Sequence, residues 1–81
     1  MYTDMLLPLD GLHPGEWAEV AEVTGEPRWV ARMAELGLRV GALVKVLQPG
    51  SPCLLEIAGC RLSLRMDEGL QIFVRPASAI A

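Results

Sequence analysis

Few side chains in this sequence could hold a transition metal ion: one histidine, His13, and two cysteines, Cys53 and Cys60. A closed site for zinc or iron needs about four thiolate, imidazole or carboxylate ligands. In the hairpin that residues 53–66 predict, the two cysteines lie about four strand steps apart, roughly 13 Å. That separation exceeds the reach of a disulfide or of one metal ion. We therefore interpret both cysteines as small, buried apolar residues.

His13 belongs to His13-Pro14-Gly15-Glu16, a pattern typical of a type II turn. With Asp10 or Glu16 it could hold a divalent cation weakly, but an exposed turn residue is the simpler interpretation. Catalysis would also have to use this one histidine, and the sequence has neither a G-x-S-x-G nucleophile elbow nor a phosphate-binding glycine loop. We expect no enzymatic activity and no cofactor; a bound divalent transition metal ion is the alternative.

Gly and Pro divide the chain into short apolar segments of strand length. Along the second segment, the apolar positions change phase from Ala18 and Val20 to Ala21 and Val23, which indicates a β-bulge. Several short strands with tight turns predict a mainly β fold, a small and strongly bent barrel. The expected strands are residues 5–7, 16–24, 40–47, 53–57, 60–66 and 70–74.

One segment, residues 26–38, predicts a helix. Pro27 suits the first helical position. Gly37 suits the left-handed position that ends a helix, and Leu38 can fold back onto the last turn. The residues expected to form one apolar stripe are Trp29 or Val30, Met33 and Leu36.

Residues 53–66 contain the clearest hairpin pattern, with Ala58-Gly59 as a two-residue turn. In that register one face is apolar throughout, and the other carries an opposite-charge pair across the strands. The expected partners are Ile57 with Cys60, Glu56 with Arg61, and Leu55 with Leu62.

The 81 residues carry seven Lys and Arg against ten Asp and Glu, a net charge of −3. Residues 1–26 contain six of the acidic side chains and no base. An acidic chain without a basic stripe is a poor ligand for nucleic acid, so we expect none. The longest apolar run, residues 40–47, is far too short to span a bilayer, and we expect a cytoplasmic protein.

Three large aromatic side chains, Trp17, Trp29 and Phe73, have two interpretations. They mark a partner surface, or they pack under a helix or a terminus.

The segment Arg32-Met33-Ala34-Glu35-Leu36-Gly37-Leu38-x-x-Gly41 has a recognisable pattern. Together with Leu12-x-x-Gly15-Glu16, Val44-x-Val46, the strand at 61–65 and Ile72-x-Val74, it closely resembles the ferrous iron transport protein A (FeoA) family over about residues 5–75. The resemblance implies an SH3-like β-barrel of about five strands with one short inserted α-helix. The whole chain would form one such domain, with residues 76–81 as a tail.

The resemblance also implies a function: a small cytosolic accessory protein of ferrous iron uptake that binds and modulates the membrane iron permease FeoB. The protein would be peripheral to the membrane only through that permease. Two alternatives stay open. One is a metal-binding carrier or sensor that uses Cys53, Cys60, His13 or acidic side chains. The other is a stand-alone relative of the C-terminal domain of metal-dependent repressors, although the chain is too short for their DNA-binding and dimerisation regions.

For the accessory protein, the expected partner-binding surface surrounds the helix and its cap. Arginines that flank apolar side chains are typical of docking patches. The residues we assign to this surface are Arg32, Met33, Glu35, Leu36, Leu38 and Arg39.

Overall fold

A computed structural model describes residues 6–50, 52–65 and 70–77. Within them the chain forms six strands and one short α-helix. The strands are β1 (Leu7–Pro8), β2 (Trp17–Gly25), β3 (Leu43–Gln48), β4 (Cys53–Ile57), β5 (Cys60–Leu64) and β6 (Leu70–Pro76), and the helix is α1 (Pro27–Glu35). The predicted mainly β class with one helix is therefore confirmed. The predicted strands include Met5 and Met66, and the predicted tail includes residues 78–81; these residues lie outside the described ranges.

The strands form one antiparallel sheet in the order β1-β6-β2-β3-β4-β5. Within the described residues no pairing joins β1 to β5, so the sheet is unclosed and the predicted barrel closure is not confirmed. The first strand is only two residues long, because Pro8 donates no backbone N–H and a 3-10 turn follows at Leu9–Gly11. It pairs with β6 alone and gives the sheet a sixth strand.

A β-bulge bends β2, as the change of phase in its sequence predicted. Val20 pairs with Val74 on β6, but the next pair is Glu22 with Phe73, which leaves Ala21 as an extra residue. The bulge lets β2 keep apolar side chains on the core side before and after the bend.

β3 begins later than predicted and has a bulge of its own. The expected strand at residues 40–47 starts only at Leu43, and Val40 is exposed. A second shift of register lies between Val46 and Gln48, and the sequence pattern had not indicated it.

The β4–β5 hairpin has the predicted register. Its pairs include Ile57 with Cys60, Glu56 with Arg61 and Leu55 with Leu62. Both turn residues have positive φ, Ala58 at 51° and Gly59 at 84°, as a two-residue turn of this class requires. The prediction that both cysteines are buried is wrong for Cys60: it is exposed, because it lies at the turn end of the outermost strand, whereas Cys53 is fully buried.

The helix α1 begins at Pro27 and ends in the predicted glycine cap. Gly37 has φ 99°. The N–H of Leu38 donates to the carbonyl of Met33 at 2.9 Å, and the N–H of Gly37 donates to the carbonyl of Ala34 at 3.0 Å. These two bonds form the Schellman arrangement, which returns Leu38 to the core.

Burial corrects the predicted apolar stripe of the helix. Of the α1 residues only Met33 is buried, Val30 is partly buried, and Trp29 is 43% exposed. Leu36, just after the helix, is 50% exposed. The helix packs mainly against β2, and this contact buries a narrow line of its side chains rather than a broad stripe. The buried core residues are Leu9, Leu12, Ala18, Val20, Met33, Leu38, Val44, Val46, Cys53, Leu55, Ile57, Leu64, Leu70, Ile72 and Val74.

The last strand, β6, alternates as predicted. Leu70, Ile72 and Val74 face the core, and Phe73, of opposite parity, is half-buried. The strand continues to Pro76, where the sequence had suggested that the tail begins.

Candidate functional site

The outer side of α1 is the first candidate surface. Because only a narrow line of α1 side chains is buried, most of the circumference of the helix is exposed to solvent. We call Arg28, Trp29, Arg32, Glu35 and Leu36 the helix surface; all five are exposed. Together with Ala31, the four helical residues among them line a shallow hollow of about 530 Å³.

The two arginines of the helix surface differ in the contacts that they make within the protein. The Nε of Arg28 donates to Oε1 of Glu26 at 3.1 Å, and the guanidinium lies 5.9 Å from the centre of the Trp29 ring. This geometry is a cation–π contact next to an exposed ion pair. Arg32 makes no hydrogen bond or ion pair within the described part of the chain. Its guanidinium is therefore available to an anionic partner.

The structure separates the predicted site residues into two groups. Arg32, Glu35, Leu36 and Arg39 are exposed. Met33 and Leu38 are buried, at 6% and 0% exposure, and neither side chain can contact a partner in this conformation. These two hold the helix and its cap on the sheet, so burial removes them from the predicted surface. For the four exposed residues the partner-binding role stays a prediction.

A second exposed apolar surface lies beside the helix cap. Of its three exposed apolar residues, the sequence singles out only Trp17 as a possible partner contact. Trp17, Val40 and Leu43 are 43%, 65% and 56% exposed. All three line one groove of about 630 Å³, which we call the cap groove. Its other lining residues are Gly37, Arg39, Gly41, Ala42, Ile57, Ala58 and Gly59. The predicted strand at residues 40–47 includes Val40, but the glycine that follows it is a signal that the chain turns there.

A tight turn shapes one wall of the cap groove. The N–H of Ala42 donates to the carbonyl of Arg39 at 3.0 Å, and Gly41 has φ 95°. The N–H of Gly41 also donates to the carbonyl of Val20 at 2.8 Å, which ties the turn to β2. The turn places Val40 at its tip, away from the core, while Leu43 starts β3.

A row of side chains crosses four strands next to the cap groove. Trp17, Lys45, Glu56 and Arg61 are successive partners in the registers of β2, β3, β4 and β5. The ammonium of Lys45 lies 5.8 Å from the centre of the Trp17 ring. The row carries two bases and one acid beside the exposed tryptophan.

His13, Cys53 and Cys60 line neither the cap groove nor the hollow on the helix. The predicted turn is present: Gly15 has φ 85°, and the N–H of Glu16 donates to the carbonyl of His13 at 3.1 Å. The Glu16 carboxylate accepts the backbone N–H of His13 at 2.8 Å. Burial raises the pKa of the Cys53 thiol above its ordinary value, and the nearby Asp10 carboxylate adds to that shift.

In residues 6–50, 52–65 and 70–77, no three His, Cys, Asp or Glu side chains form a group that could hold a metal ion. The expectation of no bound metal stays a prediction, which anaerobic titration with ferrous ion tests. No helix in the same ranges has the length and hydropathy needed to cross a bilayer.

The fold and these surfaces define the class: a small, mainly β domain with one short helix and exposed apolar side chains suited to contact. The sequence model of the FeoA domain matches residues 7–76, and the chain belongs to the FeoA family. The resemblance seen in the sequence is therefore confirmed. That family comprises small accessory domains and is not a known enzyme family.

Two solved structures have the same fold. The solution NMR structure of the FeoA protein from Chlorobium tepidum is 36% identical, with a TM-score of 0.78 over 88% of this chain and 70% of that one. The crystal structure of an iron uptake regulatory protein (FeoA) is 24% identical, with a TM-score of 0.78 over 89% of this chain and 99% of that one. No curated protein matches this sequence.

Proposed function

We propose that this protein is an accessory component of ferrous iron uptake that binds the cytosolic region of a FeoB-type permease and modulates it. The observation that carries the proposal is the FeoA domain match over residues 7–76, since membership of this family suggests a role in ferrous iron uptake. In this proposal the protein works in the cytoplasm and reaches the membrane only through the permease. Its net charge of −3 gives it little attraction for nucleic acid.

The helix surface and Arg39 supply a docking patch of suitable chemistry. Tryptophan and arginine are over-represented among the residues that carry binding energy, and Trp29 and Arg32 are exposed together on one helix. Leu36 adds an apolar side chain at the helix end. The partner surface would present acidic groups around an apolar centre.

Direct binding tests this proposal. The full chain is titrated with the purified cytosolic region of the FeoB-type permease from the same organism, by isothermal calorimetry. The double variant Arg32→Glu, Leu36→Asp should weaken binding by about tenfold or more, the loss expected for a central interface pair. Arg65→Glu, an exposed arginine just after β5, is the matched control and should leave the affinity unchanged.

Modulation is measured separately, as the rate of GTP hydrolysis by the permease region with and without the full chain. Absence of binding by the unmodified protein would overturn the proposed function. Binding that the double variant leaves intact would reject this surface and retain the partner.

A further inference from the structure

The cap groove concentrates the exposed apolar surface of the described residues. Among the described residues six large apolar side chains are exposed, and three of them, Trp17, Val40 and Leu43, line this one groove. Scattered exposed apolar side chains need no explanation, whereas a contiguous group around a concave surface marks a binding site. A volume of about 630 Å³ lies in the range of pockets that hold a small ligand or a few side chains.

The groove stays open because glycines form part of its wall. A Cβ added at Gly41 or at Gly59 would meet no atom within 4 Å, so the space in front of both backbones is empty. A partner's chain can therefore approach the groove closely at these two positions.

The electrostatics of the groove select an acidic occupant. Arg39 is the one charged residue among those that line it, and no acidic side chain does. On the adjoining row Lys45 and Arg61 outnumber Glu56, which lies between them in register. A carboxylate at this site would gain attraction from Arg39 and Lys45. Two acids adjoin the site in the strand registers, and bases oppose both of them: Glu56 lies between Lys45 and Arg61, and Glu19, the partner of Leu43, pairs with Arg75 at 3.4 Å.

We propose that the cap groove binds an extended acidic segment of the partner protein. A bulky apolar side chain of that segment would insert between Trp17, Val40 and Leu43, and a neighbouring carboxylate would pair with Arg39. This inference rests on the proposed function, because it assigns the segment to the permease's cytosolic region. The helix surface and the cap groove would then belong to one interface, since Leu36 of the helix surface directly precedes Gly37, which lines the groove.

The two tryptophans of the chain provide separate reporters for the test. Trp17 lies in the cap groove and Trp29 on the helix surface. The full chain is labelled with nitrogen-15, its two indole N–H signals are assigned with Trp17→Phe and Trp29→Phe, and the permease's cytosolic region is titrated in. The expected result is a clear shift or broadening of the Trp17 signal.

Affinities of variants complete the experiment. Leu43→Ser with Arg39→Glu should weaken binding by about tenfold or more, whereas the matched control Leu6→Ser with Arg65→Glu should not. Val40→Ser provides an independent variant at the tip of the turn. Overlapping 12-residue peptides from the permease region are then measured alone, and those that bind should carry a bulky apolar residue beside an acidic one.

The outcomes separate the two proposals. If the permease region binds and shifts only the Trp29 signal, or if the groove variants bind normally, the groove proposal is overturned and the proposed function stands. If only basic peptides bind, the groove proposal is overturned as well. If the unmodified chain dimerises in sedimentation with a concentration-dependent Trp17 signal, the occupant is a second copy and the proposal is wrong. Absence of any permease binding overturns both.

Discussion

Two apolar regions of this protein differ in how the burial of a side chain follows its position in the sequence. Along β4, burial follows strand alternation, so that Cys53, Leu55 and Ile57 all face the core. Between the helix end and β3, the chain instead leaves Leu36 exposed, buries Leu38 completely, and exposes Val40 again. Residues of similar hydropathy thus have opposite environments within a few positions. Burial in this second region depends on how the cap and the turn direct each side chain.

The largest effect should come from Leu38. Its side chain is fully buried, so Leu38→Ala should lower the free energy of unfolding by about 2–5 kcal/mol through lost burial and a cavity. Leu36→Ala, two positions earlier and half exposed, should change it by less than about 1 kcal/mol. Urea denaturation followed by tryptophan fluorescence measures both. Equal losses for the two variants would contradict the exposure difference described here.

The helix cap should show the next largest effect. Gly37→Ala places a methyl group 3.3 Å from Cγ2 of Ile57 at φ 99°, and we expect a loss of about 1–2 kcal/mol. Gly41 has a similar φ of 95° but open space around it. Gly41→Ala should therefore lower the free energy of unfolding only through backbone strain at positive φ, by about 1 kcal/mol. The difference between the two midpoints in urea measures the contact with Ile57. A greater loss at Gly41 would mean that its turn, rather than the cap, limits stability.

The two cysteines test the burial of side chains in the β4–β5 hairpin. Cys60 is exposed and should react readily with Ellman's reagent, whereas Cys53 should react at least about tenfold more slowly until the protein unfolds. The raised pKa of Cys53 adds a pH dependence. The unfolded chain loses this thiol proton first, so folded stability should fall as the pH rises above the ordinary value of 9.0. Cys53→Ala should remove that part of the pH profile.

The smallest effect is expected at the tip of the turn. Val40 is 65% exposed, and Val40→Ser should change the free energy of unfolding by less than about 0.5 kcal/mol. Val44→Ser, at a fully buried position of β3, is the matched comparison and should be destabilising by several times as much. Thermal unfolding by circular dichroism compares the pair. A large loss at Val40 would place its side chain in the core and would remove it from the cap groove.

Features that depend on neighbouring residues were predictable from the sequence. The hairpin register follows from a two-residue turn between alternating strands, and the bulge in β2 from a change of phase at Ala21. The cap at Gly37 follows from a glycine after an apolar stripe. The motif around that cap, together with Leu12-x-x-Gly15-Glu16 and the patterns of the later strands, indicated the FeoA family.

Exposure was less predictable, because it depends on which surfaces meet. The spacing of Trp29 and Leu36 predicted an apolar stripe, yet α1 contacts the sheet along a line that buries only Met33 among its residues. The sequence places Leu38 on the partner surface, yet its side chain is in the core. Val40 lies in a turn rather than in the predicted strand, whereas Leu43 is in β3 as predicted but is exposed in the cap groove. Hydropathy alone does not distinguish these leucines and valines.

Alternation, turn residues and the glycine cap are local properties, so the amino-acid sequence alone determined the elements, the hairpin register and the family of this protein. The tertiary structure decided how far the sheet closes, where Cys60 lies, and how the cap and turn bring Trp17 next to Val40 and Leu43. Trp17 is more than twenty positions away from these two residues along the chain. Only the pairing of β2 with β3 brings them together, since a surface of distant residues exists only after the sheet has formed.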